Sequence, residues 1–266
     1  MALPSIILPR LGRAVTRLGF GALPMGPLQR GISPEAGASV VRTAVEGGIT
    51  FIDTATIYGT YEHIAQGLEG FKGDVVISTK THARNDRALA EKHIEMARSG
   101  LKRDCIDIML CHCGRDVFSE KEWGASLEAL LDARAKGRVS MVGVSCHAVE
   151  GVRVAARMPE IEVIHPLINL TGMGIIGGTA EEMAAAIAEA HAAGKFIYGM
   201  KALAGGNLVS RREEALRYVW ENPSLDSFVL GMVTPEEVEW NLIYLQGRPN
   251  PEALATATAV NSNRLT

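Results

Sequence analysis

The stretch "SPEAGASVVRTAVEGGITFIDTA", residues 33–55, decides the fold. It reads as a helix that runs almost directly into a buried strand. Ser33 is placed to cap the helix, and Pro34 takes the first helical position, where a missing N–H costs nothing. Apolar residues then recur at helical spacing until Gly47-Gly48 signals the stop. The run that follows, "TFIDTA" (50–55), is short and leaves through an aspartate. A helix feeding a strand in this way is half of a βαβ unit.

Seven more runs of the same kind lie along the chain: "RLGFGAL" (17–23), "VVISTKT" (75–81), "IDIMLCH" (106–112), "VSMVGVS" (139–145), "EVIHPLIN" (162–169), "FIYGMKA" (196–202) and "SFVLGM" (227–232). Several are apolar throughout, as strands of a parallel sheet buried on both faces should be. Helical patterns alternate with them, among them "DRALAEKHIEMARSGL", "SEKEWGASLEALLDARAKG", "TAEEMAAAIAEAHAAG" with Thr179 as cap and Gly194 as stop, and "TPEEVEWNLIYLQG". Eight strands at a repeat of about 20–35 residues predict a single (β/α)8 TIM barrel, a fold of about 250 residues, spanning 1–266. A doubly wound open sheet is the rival, but no early G-x-G-x-x-G follows a strand. Gly12-Arg13 turns a short hairpin within residues 1–16 that caps the barrel bottom, and the small polar tail from Pro249 to Thr266 is expected to be loosely held.

Composition narrows the function. The 266 residues carry a net charge of −3 and no dense Lys/Arg run, which speaks against a nucleic-acid partner. No apolar run reaches the length of a membrane span, and the N-terminus lacks a signal-peptide core. A cytoplasmic protein with reduced thiols at Cys105, Cys111, Cys113 and Cys146 is expected.

Active sites of such barrels lie at the C-terminal ends of the strands. There the second run offers Asp53 with Tyr58 on its loop, the third Lys80 and the fourth His112. A phenol titrates near pH 10, and a neighbouring ammonium at hydrogen-bond distance favours its phenolate. A buried lysine needs a counter-ion, which Asp53 supplies, and a neutral histidine orients a carbonyl oxygen beside the phenol. Such a set suits protonation of a carbonyl oxygen as hydride reaches its carbon. Taken singly, each residue has a plainer reading: a turn aspartate, a packed tyrosine, a solvated lysine, a core histidine. Their occurrence at consecutive strand ends favours the chemical one.

With these residues in view the chain resembles the aldo-keto reductase family. "LGFGALPMG" (18–26), "FIDTATIYGTYEHIAQGL" (51–68), "VVISTKT", "LKRDCIDIMLCH" (101–112) and "KGRVSMVGVS" (136–145) are similar to its successive signatures. The resemblance implies an NADPH- or NADH-dependent reduction of a small aldehyde or ketone, with Tyr58 as general acid, Lys80 as its modulator, Asp53 as partner of Lys80 and His112 as orienting group. "GMKALAGGNL" (199–208) and residues 216–242 look most like a branch whose members often add an iron–sulfur segment; no four-cysteine run for such a cluster occurs in the sequence.

The resemblance also assigns the cofactor contacts. Ser145 and Cys146 fall where Ser-Asn usually holds the nicotinamide carboxamide, His165 where a Gln is common, and Met200 where a Tyr usually stacks. Lys201, Leu203 and Gly206 fall on the pyrophosphate loop, Gly231 and Met232 on the approach, and Asn241 at the adenine position. Residues 229–241 offer no cation for a 2′-phosphate but carry Glu236, Glu237 and Glu239, so NADH is expected to bind at least as well as NADPH. Short loops imply an open substrate site, with Trp123 as one wall or as a packed residue. Two alternatives remain open: a catalytically weak barrel acting as a cofactor-sensing or partner-binding protein, and a zinc site built from Cys113, Cys146 and His147.

Overall fold

The computed structural model describes residues 2–8, 10–246 and 248; the tail from Pro249 lies outside them. The chain starts with two short antiparallel strands, β1 (Ser5–Leu8) and β2 (Arg13–Thr16), paired Ser5 to Thr16 and Leu8 to Arg13. Gly12 turns the hairpin with φ of +62°, a conformation that glycine adopts without steric cost. Leu8 and Val15 are buried in one cluster with Phe51, Val76, Ile108 and Val163. The hairpin therefore plugs the N-terminal end of the barrel. Reciprocal bonds between Thr16 and Thr50, each backbone N–H donating to the other's hydroxyl at 3.0 and 3.1 Å, pin it there.

Eight parallel strands then close on themselves among the described residues: β3 (Leu18–Gly21), β4 (Phe51–Asp53), β5 (Val76–Thr81), β6 (Ile106–Gly114), β7 (Val139–Cys146), β8 (Val163–Pro166), β9 (Phe196–Gly199) and β10 (Ser227–Gly231). β10 pairs with both β9 and β3, which completes the ring. Among the described residues eight α-helices surround it: α1 (Pro34–Glu46), α2 (Tyr61–Gly67), α3 (Arg87–Gly100), α4 (Glu120–Ala135), α5 (Val149–Arg157), α6 (Ala180–Ala192), α7 (Arg212–Trp220) and α8 (Pro235–Leu245). This is the (β/α)8 barrel that the alternating pattern predicts.

The caps expected at Ser33 and Thr179 form, and Asp86 and Thr234 add two more. Ser33, Asp86 and Thr234 accept the N–H three residues on, and Thr179 with Glu182 makes a reciprocal capping box. Side-chain alternation then sorts the strands into two faces. Phe51, Val76, Ile108, Leu110, Met141, Val163, Phe196, Tyr198 and Val229 fill the barrel interior. Ile52, Ile77, Met109, Cys111, Cys113, Val142, Val144, Cys146, Ile164 and Ile197 belong to the larger cluster formed with the helices. Fully burying one such aliphatic side chain is worth about 1.5–3 kcal/mol, so a shift of register by one residue would be heavily penalised. Trp123 on α4 is 1% exposed and belongs to this outer cluster, so it is a core residue and not a wall of the site.

Candidate active site

The same alternation that fixes the interior brings polar groups to its upper end. Two residues beyond Phe51 stands Asp53; beyond Val76 come Ser78 and Lys80; beyond Leu110, His112; beyond Val163, His165. Lys80 is 1% exposed, and its ammonium donates to Asp53 Oδ1 and Oδ2 at 2.7 and 2.6 Å and to the Thr54 carbonyl at 2.7 Å. Three acceptors match its three N–H groups. Its Nζ lies 5.1 Å from the centroid of the Tyr58 ring, and no hydrogen bond joins it to the phenol. The His112 ring stands edge-on to Tyr58, with centroids 5.8 Å apart and planes at 84°. All four residues expected to act together therefore meet, with one difference: the lysine faces the tyrosine through space rather than through a shared proton.

Tyr58 owes its place to its loop. Residues Thr56–Tyr58 form one tight turn, which ends at Gly59 in the left-handed region with φ of +66°. Thr56 Oγ1 donates to the Lys80 carbonyl at 2.9 Å, and the Thr54 and Thr60 hydroxyls bond at 2.8 Å. Gly26 packs so closely that a Cβ there would sit 2.0 Å from the Tyr58 carbonyl oxygen. The loop is clamped from both sides.

Electrostatics follow from burial. The Tyr58 phenol is pushed above its ordinary value by desolvation and then by the Asp53 carboxylate, which keeps it protonated at neutral pH. Burial and then the charge of Lys80 push His112 down to about 3, so its imidazole is neutral. His165 is driven down by the same two causes. Burial also lowers the Lys80 ammonium, against the opposing pull of Asp53.

Tyr198 joins this set although sequence reading treats it only as part of an apolar strand. Its hydroxyl donates to Asp53 Oδ1 at 2.9 Å and bonds the Ser78 hydroxyl at 2.7 Å. Its ring stacks on His165 with centroids 3.9 Å apart. The only signal available was a phenol inside "FIYG", where a fully buried hydroxyl must find a partner. His165 Nδ1 donates to the Tyr198 carbonyl at 2.6 Å, which leaves Nε2 as an acceptor.

A cavity of about 580 Å3 opens beside these groups. Asp53, Tyr58, His165 and Met200 line one end; Lys201, Leu203, Gly206 and Gly231 line its middle; Glu236, Glu237, Trp240 and Asn241 line the other. Most of the expected cofactor contacts thus share one trench. Two do not. Cys146 is fully buried, and alternation turns it outward against Gly151 of α5; Met232 is 1% exposed within the outer core. Ser145 faces inward between His112 and His165 in register, and its buried Oγ has no hydrogen-bond partner among the described residues. An unpaired hydroxyl beside an imidazole acceptor fits a carboxamide, which brings both a donor and an acceptor. At the far end, Arg212 of α7 joins the wall, its guanidinium 4.0 Å from the centroid of Trp240. Residues 229–241 offer no cation, but Arg212, like Arg30, lines the trench from outside that segment. Glu237, in turn, accepts the Val233 N–H at 2.7 Å, and Asn241 donates to the Glu237 carbonyl at 2.7 Å.

The zinc alternative fails on geometry. Cys113 and Cys146 face the helices, and among the described residues no group of three His, Cys, Asp or Glu side chains is placed to hold a metal ion. Burial raises the thiols of Cys111 and Cys146 to about 12, so they stay protonated.

Comparison with known proteins agrees with this geometry. The sequence model of the "Aldo/keto reductase family" matches residues 17–214, which contain Asp53, Tyr58, Lys80 and His112. Aldo-keto reductase YhdN of Bacillus subtilis (strain 168) is 26% identical over 176 residues, 60% of this chain and 52% of that protein, so the chain spans about half the length of that relative. L-galactose dehydrogenase of Arabidopsis thaliana is 22% identical over 87% of this chain and 84% of its own. Among solved structures, aldo-keto reductase AKR11C1 from Bacillus halodurans (holo form) superposes with a TM-score of 0.75 at 17% identity, covering 93% of this chain and 92% of that one. The Bombyx mori aldo-keto reductase AKR2E4 in complex with NADP gives 0.71 at 17% identity over 96% and 92%. At these identities the likeness in structure establishes the barrel. No helix among the described residues is long and apolar enough to cross a membrane.

Proposed function

The chain belongs to the aldo/keto reductase family, and from that premise we propose that it reduces a small aldehyde or ketone to an alcohol with NADPH or NADH. The observation that carries the reading is the buried Lys80–Asp53 pair beneath Tyr58, with neutral His112 edge-on beside it. When bound in the trench, the reduced nicotinamide supplies the hydride. The chain's own groups do the rest. Ser145 Oγ and His165 Nε2 orient the carboxamide, and Met200 offers an apolar, polarizable platform. His112 donates a hydrogen bond to the substrate carbonyl oxygen and turns it toward Tyr58. Tyr58 gives its proton to that oxygen as negative charge develops there. The ammonium of Lys80 stabilises the phenolate left behind through space, because Asp53 and Thr54 already take its N–H groups. Asp53 in turn keeps the lysine charged.

Arg212 offers a charge to a 2′-phosphate and Glu236 a carboxylate to a ribose hydroxyl, so both cofactors are accommodated. Quenching of Trp240, which lines the trench, follows their binding in parallel titrations. Saturable quenching by at least one of them, and its oxidation when aldehydes or ketones are added, is the expected result. Binding of neither, or no oxidation across a broad carbonyl panel, would overturn the reading.

A further inference from the structure

Three basic side chains gather on one side of the barrel mouth. The register between β6 and β7 shifts after His112, and Gly114 pairs with Cys146. The Gly114 carbonyl accepts the His147 N–H at 2.9 Å, so Arg115, the next residue, starts beside His147. Across β8, Leu167 N–H donates to the Cys146 carbonyl at 3.2 Å and Ile168 N–H to the Met200 carbonyl at 3.1 Å. These bonds bring Lys201 to the same rim, held in the left-handed region with φ of +60°. For a residue other than glycine that conformation is strained, and such strain concentrates at binding sites.

The charges of these groups reach one another. Burial, then Lys201, then Arg115 push His147 down to about 4. Burial and Arg115 lower Lys201 in the same way. Ser145, two residues before His147, pairs in register with His112, so the cluster adjoins the reacting end of the site. Nothing offsets it: among the described residues neither Arg115 nor Lys201 makes an ion pair. Asp116, next in sequence to Arg115, is engaged by Arg84 at 3.2 Å, and the same guanidinium holds Glu122 at 3.3 Å. Arg115 and Lys201 are exposed cations with no carboxylate partner among the described residues, and positive potential of this kind attracts an anion to the mouth.

We propose that Arg115 and His147 hold a carboxylate of the carbonyl substrate, so that the protein acts on oxo acids in preference to neutral carbonyls. One guanidinium fork and one imidazole N–H match the two oxygens of a carboxylate. The proposal rests on the carbonyl-reducing reading above and adds the class of substrate.

Two aldehydes with the same reacting end, 4-carboxybenzaldehyde and benzaldehyde, test it with the full chain and saturating cofactor. A kcat/KM at least tenfold higher for the acid, carried mainly by KM, is expected. Arg115→Gln should bring the ratio close to one, and Arg115→Lys, which keeps the charge, should restore most of it. A wild-type ratio near one, or a ratio that Arg115→Gln leaves unchanged, overturns the proposal. Calorimetric titration with the alcohol product, 4-(hydroxymethyl)benzoate, separates the two readings because it needs no turnover. Arg115-dependent binding at least tenfold tighter than that of benzyl alcohol supports the anion site even if neither aldehyde is reduced, in which case the carbonyl-reducing reading falls alone. Equal binding of the acid and the neutral alcohol sinks the anion site.

Discussion

Asp53 carries more bonds than its role as a counter-ion requires. Oδ1 receives both the Lys80 ammonium and the Tyr198 hydroxyl, and Oδ2 receives the ammonium alone. Removing the Tyr198 hydroxyl would leave Oδ1 short of one donor and free the carboxylate to turn, and with it the lysine whose field acts on Tyr58. Losing one hydrogen bond to a buried charged group costs about 1.5–3 kcal/mol. Tyr198→Phe is therefore expected to lower kcat about tenfold or more and to shift its pH profile, while cofactor affinity, read by Trp240 quenching, stays close to wild type. An unchanged pH profile with a lower melting temperature would reduce Tyr198 to a packing residue.

At the scale of elements, the site depends on a strand's period of two and on one clamped loop. Gly26, in the loop after β3, lets that chain press against the Tyr58 carbonyl. Gly26→Ala is expected to push the Tyr58 loop outward and to cost on the order of 100-fold in kcat, since a displacement of about 1 Å is enough for that. A crystal structure of the variant with Tyr58 unmoved, or full activity, would contradict this. Strand period also explains what could be read in advance. The eight strands and the four residues at their ends were legible because apolar runs and terminal polar residues are local signals. Cys146 and Met232 were misplaced because matching positions to a family pattern says nothing of which face a side chain takes; alternation turns them outward. Arg212 escaped notice because it reaches the trench from α7, an element outside the segment expected to bind that end of the cofactor. Tyr198 escaped because only closure of the barrel brings β9 across from β4.

For the molecule as a whole, burial of neutral histidines ties stability to pH. An unfolded imidazole titrates near about 6.5. Folded His112, held at about 3 by burial and then by Lys80, stays unprotonated over the interval between. There the unfolded chain binds the extra proton, so this group's contribution falls as pH drops below about 6.5, by about 1.4 kcal/mol per unit. His165 acts in the same direction. Asp107 and Asp226, raised by burial, act in the opposite one, because the folded chain holds their protons longer. Urea unfolding of wild type and His112→Asn between pH 7 and 5 isolates the histidine: the wild type should lose stability more steeply by about that slope. Parallel curves would show that His112 is not held neutral in the folded protein.

In this reading the barrel presents one acid, Tyr58, over the buried Lys80–Asp53 pair. Single-turnover reduction by Tyr58→Phe, alongside a cofactor titration of the same variant, tests it most directly. The expected result is cofactor binding within about twofold of wild type and a rate of carbonyl reduction lower by about 100- to 10,000-fold, the contribution of a positioned general acid. A variant that binds cofactor and reduces the carbonyl at close to the wild-type rate would contradict it.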